Sequence, residues 1–243
     1  LAEIRIGTSG WHYDHWVGPF YPDHMKPADF LAFYAERFTT AEINNSFYQL
    51  PSATTLAQWR DAVPDGFRFT AKASRYITHM KKLKDPAASL ERFSERIAVL
   101  EPRLGPLLFQ LPPKWRADVA RLEAFLDALP KERRAAVEFR DASWWIDDVY
   151  AALQRHGAAF CAFELAGHET PLQVTADFVY LRLHGPGDAY QGRYDDDRLR
   201  AWADRLLAWR DKGRDVWCFF DNDEAGYAAL NAARLQTLVE AGS

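Results

Sequence analysis

Eight times along the chain a short apolar run breaks off at a charged or amide residue, and that recurrence restricts the fold more than any other feature of the sequence. The runs begin near Ile4, Ala41, Phe67, Pro106, Ala135, Ala158, Phe178 and Asp215, so successive starts lie from 20 residues apart (158 to 178) to 39 (67 to 106). Several are continuously apolar, such as Leu107-Leu-Phe109 and Ala159-Phe-Cys-Ala-Phe163. Parallel strands covered on both faces have that composition. Between them, Leu90, Phe93, Ile97 and Leu100 recur at helical spacing, as do Val119, Leu122, Leu126 and Leu129, then Leu199, Trp202, Leu206 and Trp209. Ser52, Asp85 before Pro86, Ser143 and Asp195 stand where helix caps are expected.

Strands alternating with helices predict an α/β fold with a parallel sheet. Eight units in 243 residues predict a single TIM-like (β/α)8 barrel domain over 1–243. One βα unit, around residues 164–177, is too short for a full crossover helix. The competing doubly wound open sheet would carry a Gly-rich phosphate turn after the first strand, and none is present. Turns that return to a strand are terse, as at Pro64-Asp-Gly66 and His156-Gly157, whereas those that leave one are long: Ser9 to Lys26, Ala73 to Lys84, His184 to Tyr194. Elaboration on one side only is how a barrel builds a site above the C-terminal ends of its strands.

The residues that end the runs are therefore the candidate site. Glu42 and Asn44 share parity on the second strand, Glu138 and Arg140 on the fifth, Arg182 and His184 on the seventh. Glu42, Glu138 and His184 are the candidate catalytic groups, since carboxylates and imidazole exchange protons near neutral pH. The alternative for Glu42 is a structural ion pair with Lys72. Lys72, Arg140 and Arg182 would hold negative charge, and Asn44, Gln110, Asp221 and Asn222 would hydrogen-bond a substrate; Asn222 or Asp223 would otherwise cap the following helix. Trp11, Tyr48 and His79 complete the candidate binding set. Aromatics make up 14% of the chain. Those of the first long loop, Trp11, Tyr13, Trp16, Phe20 and Tyr21, with Tyr190 and Tyr194 of the seventh, would form either stacking walls for a ring or a small core that holds the loops down.

No His-Glu-x-x-His, Gly-x-Ser-x-Gly or P-loop motif occurs, so no cofactor is expected. A divalent metal would need Glu42, Glu138, His184 and Asp221 to converge. The net charge of −4 argues against coating a polyanion. Cys161 and Cys218 sit inside apolar strands and are expected to be buried free thiols, consistent with a reducing cytoplasm; no apolar run is long enough to span a membrane.

With these segments in place, the chain resembles the YecE-like family, catalogued as domain of unknown function seventy-two. The likeness is carried by Gly7-Thr-Ser-Gly-Trp11, Phe20-Tyr-Pro22, Ala41-Glu-Ile-Asn-Asn-Ser-Phe-Tyr48 and Phe67-Arg-Phe-Thr-Ala-Lys72 with Ile77-Thr-His79. It continues through Leu108-Phe-Gln-Leu-Pro-Pro113, Val137-Glu-Phe-Arg140, Leu181-Arg-Leu-His-Gly185 and Phe219-Phe-Asp-Asn-Asp223. The resemblance implies a TIM-like barrel and the same strand-end residues, but no reaction. In one place the chain departs: the family's last strand ends Phe-Asn-Asn, and here Asp221 stands in the middle. The expected function is an enzyme using acid/base chemistry on a polar, anionic small molecule, a hydrolase, lyase or isomerase. The alternatives are a metal-dependent phosphodiester hydrolase, with nucleic acid as partner, and a non-catalytic binder of a sugar or nucleotide.

Overall fold

The computed structural model describes residues 2–242. Eight parallel strands form the barrel: β1 (Ile4–Thr8), β2 (Thr40–Ile43), β3 (Arg68–Lys72), β4 (Leu104–Gln110), β5 (Ala135–Glu138), β6 (Ala159–Leu165), β8 (Phe178–Leu183) and β9 (Asp215–Phe220). A two-residue strand, β7 (His168–Glu169), folds back antiparallel on β6. The order around the sheet is β1-β9-β8-β6-β5-β4-β3-β2, and its two ends meet at a parallel bridge between Ser9 and Glu42. All eight expected strand starts fall within two residues of those observed.

Among the described residues seven α-helices surround the sheet: α1 (Phe30–Ala35), α2 (Ala53–Asp61), α3 (Ala87–Ile97), α4 (Val119–Asp127), α5 (Asp147–Arg155), α6 (Asp196–Asp211) and α7 (Tyr227–Ala241). The β6-to-β8 connection carries only the β7 hairpin, which is the shortened unit expected at 164–177. The apolar stripes read from the sequence face the sheet: Leu90, Phe93 and Ile97 on α3, Leu122 and Leu126 on α4, Leu199, Trp202 and Leu206 on α6 are all buried.

Two of the four expected caps hold. Ser52 and Asp195 accept from the backbone N–H three residues on. Asp85 does not cap, because α3 begins at Ala87 with Pro86 as its flanking residue. Ser143 lies inside a short 3-10 turn that Asp141 caps, and its hydroxyl accepts instead from Ala117 N–H.

Strand alternation divides the core. One set of side chains packs outward against helices, in two clusters that include Ile6, Ile43 and Phe220 on one side and Ala71, Phe109 and Val137 on the other. The other set points into the barrel. Its lower part is a third cluster, including Leu108, Ala136, Cys161, Phe178, Tyr180 and Phe219. Above that apolar plug, towards the C-terminal strand ends, the inward residues become charged.

Candidate active site at the C-terminal mouth

Arg182 is the centre of the charged layer. Its Nη2 donates to Glu42 Oε1 (2.7 Å) and Asp221 Oδ2 (3.0 Å), and its Nη1 to Glu138 Oε2 (3.0 Å). The guanidinium is fully buried and is held far into the charged form by three carboxylates, which outweigh the burial that opposes it. An isolated buried charge is expensive, so this arrangement requires all three partners.

Glu42 is saturated. Ser9 Oγ and Arg182 bond its Oε1, and the Tyr180 hydroxyl donates to Oε2 (2.7 Å). Its ion pair is therefore with Arg182 rather than with Lys72 on the neighbouring strand. Glu138 is held by Arg140 Nε and by Arg182; burial pushes its carboxyl up, but the two guanidinia hold it well below the usual carboxylate range. Asp221 follows the same rule: burial raises it, Arg182 and His184 lower it further, and the net is a depressed acid.

His184 reads its tautomer from its neighbours. Arg140 Nη2 at 3.1 Å and Arg182 Nη1 at 3.4 Å both aim N–H groups at Nε2, so Nε2 accepts. The ring proton then sits on Nδ1 and is donated to Asp221 Oδ2 at 3.0 Å. Tyr190 lies edge-on to the imidazole, 5.2 Å between ring centroids.

Lys72 Nζ, Arg140 Nη1 and Asp221 Oδ1, at or just past strand ends, have no hydrogen-bond partner among the described residues. Lys72 is 7% exposed at the end of β3, with its Nζ 4.4 Å from the Phe47 ring centroid. Burial and, next, Arg182 push its ammonium down to about 8, against the pull of Glu138, Asp221 and Glu42. Gln110, at the end of β4, has a buried Oε1 without a partner, and Asn44, just beyond β2, has an Oδ1 in the same state.

The other candidates lie around this layer. Trp11, Asn44 and Tyr48, with Tyr13 and His12, line a cavity of about 300 Å³ between the loops after β1 and β2. Trp11 is otherwise packed on Trp59 and Phe69, whereas Tyr48 is 72% exposed. His79 stands edge-on to Phe47, and its pKa is lowered by burial and by Lys72. Asn222 is elsewhere: its amide donates to Gly192 O and Asn231 Oδ1, and neither it nor Asp223 caps α7 with a side-chain bond. Trp16, Phe20 and Tyr21 form the small loop core, with Tyr21 stacked on Phe30 at 4.1 Å. Tyr194 is buried in the same hydrophobic cluster, and its hydroxyl accepts from Gly185 N–H.

Sequence reasoning missed Ser9 and Tyr180 as parts of the layer. Tyr180 was readable in principle, because it shares parity with Arg182 and His184. Ser9 became visible only when β1 closed on β2. Among the described residues no group of three or more His, Cys, Asp or Glu side chains is arranged to hold a metal ion, and the Arg182 guanidinium fills the space between the carboxylates. Cys161 and Cys218 are free and buried, and no helix among the described residues is long and apolar enough to cross a membrane.

The comparisons with known proteins agree with this architecture. A DUF72 family protein from Thermotoga maritima superposes with a TM-score of 0.90 at 30% identity, covering 98% of this chain and 99% of that one. The UPF0759 protein YunF of Bacillus subtilis is 26% identical over 98% of this chain and 95% of its own length. The UPF0759 protein YecE of Escherichia coli K12 is 32% identical over 138 residues, 56% of this chain, a match that spans about half, 48%, of that protein. Residues 5–243 match the family described as "Protein of unknown function DUF72", and the chain belongs to that family.

Proposed function

We propose that the protein is an enzyme that performs acid–base chemistry on an anionic, polar small molecule at the C-terminal mouth of the barrel. The observation that carries this reading is the set of unpartnered polar atoms at the strand ends, beside an ionic layer whose carboxylates are bonded to Arg182. Lys72 Nζ and Arg140 Nη1 are cationic donors and Asp221 Oδ1 is an ionised acceptor, each at or just past the C-terminal end of its strand. Structural charges in a barrel end their bonds on one another, as those of Arg182 and Glu42 do here. Groups left over at strand ends are positioned for a ligand.

In this reading Lys72, whose pKa lies near neutrality, exchanges a proton with the substrate. Asp221 accepts or orients, and Arg140 clamps the anionic group. Glu138, His184, Arg182 and Glu42 position them from below; this reading gives the proton exchange expected of Glu42 and His184 to Lys72 and Asp221. The setting is a cytoplasmic one, in which the two thiols stay reduced.

The test is incubation of the wild-type protein with a panel of phosphorylated and carboxylated metabolites, followed by mass spectrometry. Conversion of at least one compound is expected, and it should fall by about 10²-fold or more in Lys72→Met and in Asp221→Asn. Conversion unchanged in both variants would overturn the assignment of the mouth. Binding without any conversion would make the protein a binder.

A further inference from the structure

We propose that Lys72 is a nucleophile that forms a Schiff base with the carbonyl group of an anionic aldehyde or ketone. The inference rests on the reading of the mouth as a site for an anionic small molecule, and it names the class of that molecule.

An amine adds to a carbonyl only when it is unprotonated, unencumbered and within reach. Lys72 is unencumbered, lies at a strand end where it is 7% exposed, and is partly neutral near pH 7. A lysine present to neutralise buried carboxylates would be bonded to them, but here Arg182 and Arg140 fill that role for Glu42, Glu138 and Asp221. The Lys72 Nζ makes no hydrogen bond or ion pair with any described residue. Its backbone carbonyl accepts from Ser46 Oγ at 2.6 Å and its head rests on the Phe47 ring, so the side chain leaves a fixed point at the end of β3. With its pKa near 8, roughly a tenth of the amine is neutral at pH 7, against well under a hundredth for an ordinary lysine.

The surroundings supply the remaining requirements. Arg140 Nη1 is free for the anionic end of the substrate. At the end of β4 and just beyond β2, the strands that flank β3, Gln110 Oε1 and Asn44 Oδ1 are buried acceptors without partners, chemically suited to the hydrogens of a carbinolamine.

The neutral Nζ attacks the carbonyl carbon, forming the C–N bond as the C=O π pair moves to oxygen. Oxygen gains a proton and nitrogen loses one, which gives the carbinolamine. A second proton lets the oxygen leave as water, and the nitrogen lone pair closes the C=N bond. The net change converts an ammonium and a carbonyl into an iminium and water, with no oxidant or reductant. The iminium keeps the positive charge of the ammonium, so the balance with Glu138 and Asp221 is preserved.

The experiment exposes the protein to pyruvate, to glyoxylate and to dihydroxyacetone phosphate, each with cyanoborohydride, which reduces an iminium to a stable secondary amine. Peptide mapping should place the adduct at Lys72 at about tenfold or more the level on the exposed Lys82 and Lys84. The adduct should be absent in Lys72→Arg and Lys72→Met. Its rate should rise with pH through about 8, in the field of Glu42, Glu138, Asp221, Arg182 and His79 that surrounds the amine. Labelling of Lys72 no greater than that of the exposed lysines with all three compounds overturns the proposal. Calorimetry of the same anions separates the two readings. Binding that is lost in Arg140→Gln, without an adduct, leaves acid–base chemistry standing and removes the Schiff base. Neither an adduct nor Arg140-dependent binding removes both.

Discussion

Lys72 and Arg182 differ in role although both are cations pointing into one barrel, four strands apart across it. Arg182 has a planar fork that three carboxylates can share, so it is locked; Lys72 is a point charge on a flexible stem and is left over. The consequence is a measurable linkage. The folded pKa of Lys72, about 8, lies below its ordinary 10.5, so the unfolded chain holds more protons between those values. Stability should therefore rise with pH across that window, by about 3 kcal/mol for this group. Lys72→Met should remove that slope in urea melts taken from pH 8 to 10.5, and an unchanged slope would show that the amine titrates normally. The carboxylates have the same sign at lower pH: Glu138 and Asp221 are depressed, so their contribution is present above the ordinary carboxylate range and is lost as pH falls from there through their lower folded values. Parity in the sequence identified these side chains as facing one way. It did not say which would be saturated, because that depends on partners 39 to 140 residues distant, as in the pairs Arg182–Asp221 and Arg182–Glu42.

At the scale of elements, the closure of the barrel is the least regular feature. Between β1 and β2 the ladder reduces to the Ser9–Glu42 bridge, and the Tyr34 hydroxyl from α1 substitutes for a ladder bond: it accepts from Thr8 N–H (2.9 Å) and donates to Thr40 O (3.1 Å). Gly7 permits the approach, since a Cβ there would sit 2.2 Å from Thr40 O. Tyr34→Phe would leave a buried donor and a buried acceptor unpaired, and should cost about 1–3 kcal/mol in denaturant melts. A loss below a few tenths would mean that the seam has other support. The strands and the long helices were legible because continuous apolar runs and 3.6-residue stripes report burial directly. The seam and the capping at Asp85 and Ser143 were not, since they depend on where neighbouring elements end in space.

For the whole molecule, one guanidinium ties together β2, β5, β8 and β9 from the inside. Arg182→Met should therefore be among the most damaging single changes, about 3–5 kcal/mol, because it strands three buried carboxylates at once. Adding Glu42→Gln to that variant should restore part of the loss; no coupling in the double-mutant cycle would mean the ion pair is not energetically linked. Asp221 supplies one of those three charges and the imidazole's partner. The order of apolar runs, their spacing and the residues that end them were enough to determine an eight-stranded parallel barrel, its degenerate sixth unit and the mouth at which charge collects, because each of these follows from local periodicity and chain length. Only the tertiary structure decided which charges cancel and which remain: burial and pairing energies depend on distances across the barrel, and along the chain those distances have no image.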